Sequence, residues 1–202
     1  MSSRNVLIVL LAMVAGGIYY KFFHVPSLLK AETENALQSF SEAVATHDRA
    51  KVGQVLGERL DAPVKIHLEV TWLSLTHKGS APVKEDFDKS SFLTFVDNIL
   101  YSLESFSYEP QLEAFHLSSD RASADVVFTS KEWGDGKSFY GGISVMMRFS
   151  SDTRCEGKVV FKGGRALLQE ANCSMSLRAV PKPEEAYKLQ QSPEAMQQFL
   201  MR

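Results

Sequence analysis

Cys155 and Cys173 are the only two cysteines in the chain. They lie in strand-like runs on either side of the turn Lys162-Gly163-Gly164-Arg165. A three-residue loop, Gly163–Arg165, pairs Lys162 with Ala166, sets Phe161 against Leu167 and brings Cys155 directly opposite Cys173. A two-residue loop would put the cysteines on opposite faces instead. The apolar pattern supports the three-residue choice. Opposed cysteines in a close, non-hydrogen-bonded pair fit a disulfide; two small buried thiols are the other reading. A disulfide would suit an oxidising compartment such as a periplasm. Two cysteines and five unclustered histidines give no zinc spacing, so no metal or cofactor is expected.

Four residues are candidates for a general base: His67, His116, Asp125 and Glu170. Strand alternation puts His67 opposite Val64, Ile66 and Leu68, and Asp125 opposite Ala124 and Val126, so both belong to a solvated face. Glu170 reads as exposed. His116 shares parity with Tyr108, Leu112 and Ala114, so it is the one expected to point inward. Trp72, Trp133 and Tyr140 are candidates to line a pocket mouth and stack on a ligand, with plain core and rim packing the preferred reading. No catalytic pair sits at a spacing that forces proximity. Gly141-Gly142 and Gly163-Gly164 do not open helices, so no phosphate loop is expected.

The elements that must position these residues follow from hydrophobic period. Ala31–His47 reads as an amphipathic helix with Leu37, Phe40 and Val44 on one stripe. Asp48 caps a short helix, Arg49–Leu56, stopped near Gly57. Val64–Leu75 alternates as a half-buried strand. His77–Asp86 is a loop. Phe92, Phe95, Val96, Ile99, Leu103 and Phe106 recur at helical spacing, which predicts a long helix over Asp88–Ser105. Strands are expected at Tyr108–Leu117, Arg121–Trp133, Phe139–Ser150 and around each cysteine, with turns at Gly134-Asp135-Gly136 and Ser151-Asp152. Pro181 and Pro183 end the last strand. Ser192 caps a short helix with Pro193 at its first position, and Met196, Phe199 and Leu200 share one face, a candidate docking surface for a partner or for the domain itself.

Val6–Tyr20 contains no charged residue; Arg4 and Lys21 flank it and Phe22 and Phe23 extend it. The apolar run of roughly 18 residues makes about 27 Å of helix. It reads as an uncleaved membrane anchor, with a cleaved secretory signal as the competing reading. Residues 1–5 form a short stub, 6–23 the anchor, 31–180 one domain and 181–202 a tail. The chain has 22 basic and 24 acidic residues, and Arg4 and Lys21 belong to the anchor, so the remainder is acidic. No Lys/Arg cluster offers a nucleic-acid footprint.

The order helix, helix, strand, long helix, then four antiparallel strands resembles the nuclear transport factor 2-like (cystatin-like) superfamily over about Ala31–Val180. The first helix breaking at Asp48, the long helix before Tyr108 and the closing hairpin from Val159 to Leu168 carry the resemblance. It implies an α+β domain in which a curved antiparallel sheet wraps the long helix and leaves a conical pocket. It also implies isomerase- or dehydratase-like enzymes, binding modules or scaffolds, including bitopic periplasmic subunits of secretion assemblies. The expectation is a single-pass bacterial-type inner-membrane protein whose periplasmic domain binds a protein partner or a second copy. A pocket enzyme or carrier of a small apolar ligand is the alternative.

Overall fold

The computed structural model describes Lys21 and residues 24–73 and 81–201; for Leu200 and Met201 only the backbone is described. The proposed anchor Val6–Tyr20 lies outside the described residues. Among the described residues, no helix is long and apolar enough to cross a membrane.

Helix α1 (Val25–Ala45) starts six residues earlier than the apolar stripe suggests, because Pro26 is tolerated in a first turn. The turn at Thr46-His47, with His47 at φ 56°, ends it. Asp48 accepts from the Lys51 N–H and caps α2 (Arg49–Arg59), which runs through Gly57 rather than stopping there. Asp88 and Ser91 form a reciprocal capping box on α3 (Lys89–Ser102).

Six strands form one sheet: β1 (Leu60–Trp72), β2 (Val83–Phe87), β3 (Leu103–Leu117), β4 (Ser123–Tyr140), β5 (Ile143–Lys162) and β6 (Arg165–Pro181). Their order is β2-β1-β6-β5-β4-β3. The sheet is mixed rather than wholly antiparallel, since β1 runs parallel to β6. The edge strand β2, expected as loop, is short and charged, Val-Lys-Glu-Asp-Phe, and so gives no alternation to read.

Both central turn expectations fail for one reason. Gly134-Asp135-Gly136 and Ser151-Asp152 lie inside β4 and β5, which pair without a register shift from Ser123 opposite Val160 to Tyr140 opposite Ile143. The two glycines are there because the end of α3 and the start of β3 cross at close range. A Cβ on Gly134 would stand 2.4 Å from the Ser105 carbonyl oxygen, and one on Gly136 would stand 2.8 Å from that of Ser102.

The cysteines are joined, Cys155 to Cys173, in directly opposed positions. The route to that register differs from the one expected. The loop has two residues, with Lys162 opposite Arg165 and Gly163 and Gly164 both at positive φ, as a tight hairpin turn of this hand requires. Phe161 therefore faces Ala166, not Leu167. Between Lys158 and Val159 the pairing jumps from Glu170 to Leu168, so Gln169 is a bulge, and that extra residue restores the cysteines to one face.

The tail folds as two helices, α4 (Pro183–Gln191) and α5 (Pro193–Met201). The Ser192 hydroxyl accepts from the Ala195 N–H, as its capping position requires. Leu189, Ala195, Met196 and Phe199 pack on Tyr140, Val145 and Met147, with Phe199 edge-on to Tyr140 at 5.6 Å. Met196 and Phe199 are thus engaged by the domain itself.

At the other end of the sheet the carboxylate of Asp61 is buried and accepts from the Lys162 ammonium at 2.7 Å and 2.8 Å. That bond holds Asp61 below the usual carboxylate range, against the opposing effect of its burial. A depressed carboxyl stabilises the fold above its unfolded value, about 3.9, and loses that contribution as the pH falls through its folded value. Lys162→Met should therefore lower unfolding stability at pH 7 by about 1 kcal/mol, the low end of the range because the lysine is half in water. The difference from wild type should shrink below about pH 4 in denaturant titrations at a series of pH values. Removing the 18-residue disulfide loop with Cys155→Ser and Cys173→Ser should lower stability by about 3 kcal/mol, read from the same unfolding midpoints.

Candidate functional site

The concave face of the sheet, α1 and α3 enclose a cavity of about 240 Å³. Its wall is overwhelmingly apolar. Phe40, Phe95, Ile99, Leu112, Val126 and Met175 are representative, and the disulfide forms part of the wall. No residue of α3 is fully buried, although Phe92, Phe95, Val96 and Ile99 all face the cavity. The helix borders the cavity on one side while Phe92, Leu93 and Val96 pack against the core beside it.

One polar pole breaks that lining. Along β4, alternation carries Ala124, Val126 and Phe128 inward, and the same parity then delivers Ser130 and Glu132. Glu132 is only 9% exposed. Across the ladder it stands opposite Tyr108 on β3 and Ser151 on β5, and Ser130 stands opposite Thr153. Three hydroxyls converge on its carboxylate. Ser130 donates to one oxygen through a short bond, while Ser151 at 2.7 Å and Thr153 at 3.1 Å donate to the other. The Tyr108 ring meets Phe40 edge-on at 4.9 Å. Burial first, and the Glu132 charge second, push the Tyr108 phenol well above its ordinary value.

A second charged side chain, Arg59, reaches the lining. Arg59 bonds Glu32 at 2.6 Å, and both side chains are three-quarters buried. Glu32 also accepts from the Ala166 N–H at 3.4 Å, which places the pair beside the β5–β6 turn. Among the described residues, no group of three or more His, Cys, Asp or Glu side chains is arranged to hold a metal.

The residues singled out in the sequence lie elsewhere. His116 is exposed and faces away from the cavity, opposite Asp125, also exposed. Its parity is reversed because β3 has a bulge at Glu113, between Leu112 and Ala114, so that Phe115 and Leu117 take the inward positions. Trp133 follows Glu132 by one residue and lies on the outer face, 40% exposed; Trp72, at the end of β1, is 41% exposed. Tyr140 is buried under α5. None of Trp72, His116, Trp133 or Tyr140 lines the cavity. His67 is bonded to Asp86 across β1 and β2, and Glu170 is exposed, as its parity predicts.

Tyr108, Ser130, Glu132, Ser151 and Thr153 went unrecognised in the sequence. The signal was there: extending the Ala124–Phe128 alternation by four residues reaches Glu132. The reading of Ser151-Asp152 as a turn hid the partners.

No family model matches the sequence, and no curated protein sequence does. Solved structures do match in three dimensions. A candidate scytalone dehydratase from Novosphingobium aromaticivorans aligns with a TM-score of 0.52 at 9% identity, over 78% of this chain and 89% of that one. A hexachlorocyclohexane dehydrochlorinase aligns with a TM-score of 0.47 at 11% identity, over 77% and 93%. A nuclear transport factor 2-like protein of unknown function from Shewanella oneidensis gives 0.40 at 14%, over 72% and 98%. The fold is α+β with a curved mixed sheet, consistent with the cone of nuclear transport factor 2-like proteins. At these identities the likeness is one of fold alone.

In a spectrophotometric titration, Tyr108 should resist ionisation until well above the usual phenol value of about 10, and Tyr108→Phe should delete that late step. A phenol step near pH 10 that is present in wild type and missing from Tyr108→Phe would contradict the buried placement of the phenol beside Glu132.

Proposed function

We propose that this chain is a membrane-tethered binding protein whose cone-shaped cavity receives a small, largely apolar ligand. The observation that supports this reading is the cavity itself. An apolar space of about 240 Å³ inside a small domain forfeits packing contacts, and such a space persists where something other than the protein's own side chains occupies it. Glu132 and its hydroxyls give that ligand one fixed orientation. The tether rests on Val6–Tyr20, and the periplasmic setting on that segment together with the Cys155–Cys173 disulfide. A protein partner or a second copy belongs to the same proposal.

A catalytic pocket is the second reading, favoured by the buried Glu132 carboxylate with Tyr108 opposite it on β3 and by the dehydratase-like protein of similar fold. Binding is preferred because three hydroxyls already occupy the carboxylate that would act as base, and because, among the described residues, no histidine and no second carboxylate lines the cavity.

Binding is tested with Nile red, a neutral apolar dye whose emission reports its surroundings. Wild type should enhance the emission saturably. Ile99→Trp and Val126→Phe, which fill the cavity from opposite walls, should weaken the dye by tenfold or more. Their thermal midpoints should stay unchanged or rise, because the added atoms occupy empty space. Dye binding that both variants leave intact would place the site elsewhere.

A further inference from the structure

We infer that the ligand's polar end is a primary ammonium, so that the cavity selects an alkylammonium over an alcohol or a carboxylate of the same chain. The inference rests on the apolar-ligand reading above and deepens it.

The argument is a count of protons at the polar pole. Each of Ser130, Ser151 and Thr153 has one hydroxyl proton, and each gives it to Glu132. These three hydroxyl donors are therefore directed onto the carboxylate. What remains for a ligand is a set of acceptors: the carboxylate's unfilled lone pair and the lone pairs of the hydroxyl oxygens. A carbonyl or carboxylate would find no donor among these hydroxyls, only the Tyr108 phenol on the cavity wall, beside a carboxylate that repels an anion. An alcohol brings one proton and an ammonium brings three.

Charge points the same way. Ion pairs hold other carboxylates of the domain, Asp61 to Lys162 and Glu32 to Arg59 among them, yet no lysine or arginine pairs with Glu132 among the described residues. Its desolvation is borne by the fold before any ligand arrives, so a cation entering the site recovers electrostatic energy at no further reorganisation of the protein. Arg59 does not offer a competing anion site of equal quality. Its guanidinium is answered by Glu32 at 2.6 Å. It also sits at the opposite end of the cavity, since Ala166 pairs with Phe161, eight residues along β5 from Thr153, or about 25 Å of extended strand.

The test titrates the full-length chain calorimetrically at pH 7 with octylammonium chloride, 1-octanol and sodium octanoate, which share one chain length. Octylammonium should bind at least tenfold tighter than octanol, and octanoate more weakly than either. Glu132→Gln should reduce octylammonium to the affinity of octanol while octanol itself is retained, which also shows that the variant is folded. Should Glu132→Gln fail to fold, Thr153→Val provides the second arm, and its octylammonium-to-octanol ratio should fall three- to tenfold. Octanol binding as tightly as octylammonium, or a ratio that neither variant moves, overturns the ammonium assignment and leaves the apolar-ligand reading standing. Binding of none of the three probes overturns both.

Discussion

The ladder between β4 and β5 runs through eighteen consecutive pairs, from Ser123 opposite Val160 to Tyr140 opposite Ile143, without losing register. Everything functional in the domain hangs on that continuity. Because parity never breaks, residues far apart in kind are forced to one face: Val126 and Phe128 in the apolar wall, Ser130 and Glu132 at the polar pole, Tyr140 under the C-terminal helices. The sheet must curve to stay wrapped on α3 over such a length, and it does so with neighbours adjusting instead. Gly134 and Gly136 let β3 and the end of α3 come within contact of the β4 backbone. Bulges at Glu113 in β3 and Gln169 in β6 take up the mismatch on the strands that flank the pair.

That arrangement explains how a carboxylate survives inside an apolar cone. A buried carboxylate without partners is strongly disfavoured. Here β5 supplies Ser151 and Thr153 at the two positions that face Glu132 and Ser130, and Glu132's own strand supplies Ser130 two residues away. The three hydroxyls come from positions fixed by the ladder, not from a mobile loop, so the pole is rigid before a ligand arrives. Among the described residues no buried polar side-chain atom lacks a partner, which makes the pole a satisfied network.

The two ends of the domain are closed by different means. Beside the β5–β6 turn, Asp61–Lys162 and Glu32–Arg59 tie β1, α1 and α2 to the hairpin. At the far end, the β4–β5 tip projects beyond α3, and α4 and α5 cover it. Glu185 accepts from the Met146 N–H and Gln198 from the Gly141 N–H, so the tail is bound to the strand backbone as well as to its apolar face. The candidate docking residues Met196 and Phe199 are consumed in that cover.

The sequence by itself determined the elements and their order. A period of two in Val64–Val70 and Ala124–Phe128, and of three to four from Phe92 to Ile99, reflects burial on one side, a local consequence of chain geometry. Capping at Asp48 and Ser192 was legible for the same reason, since a cap acts within three residues. The cysteine pairing was legible in outcome but not in cause: a two-residue turn and a bulge together give the register that a three-residue loop alone would have given. Only the tertiary structure decided which polar residues face inward. His116 was lost to a bulge at Glu113 that nothing local announces, and Glu132 emerged because β4 runs through a Gly-Asp-Gly that in isolation is a turn. Both outcomes depend on neighbouring strands and on the close crossing of α3. A residue's parity is local, but the register that fixes which face meets the cavity belongs to the whole sheet.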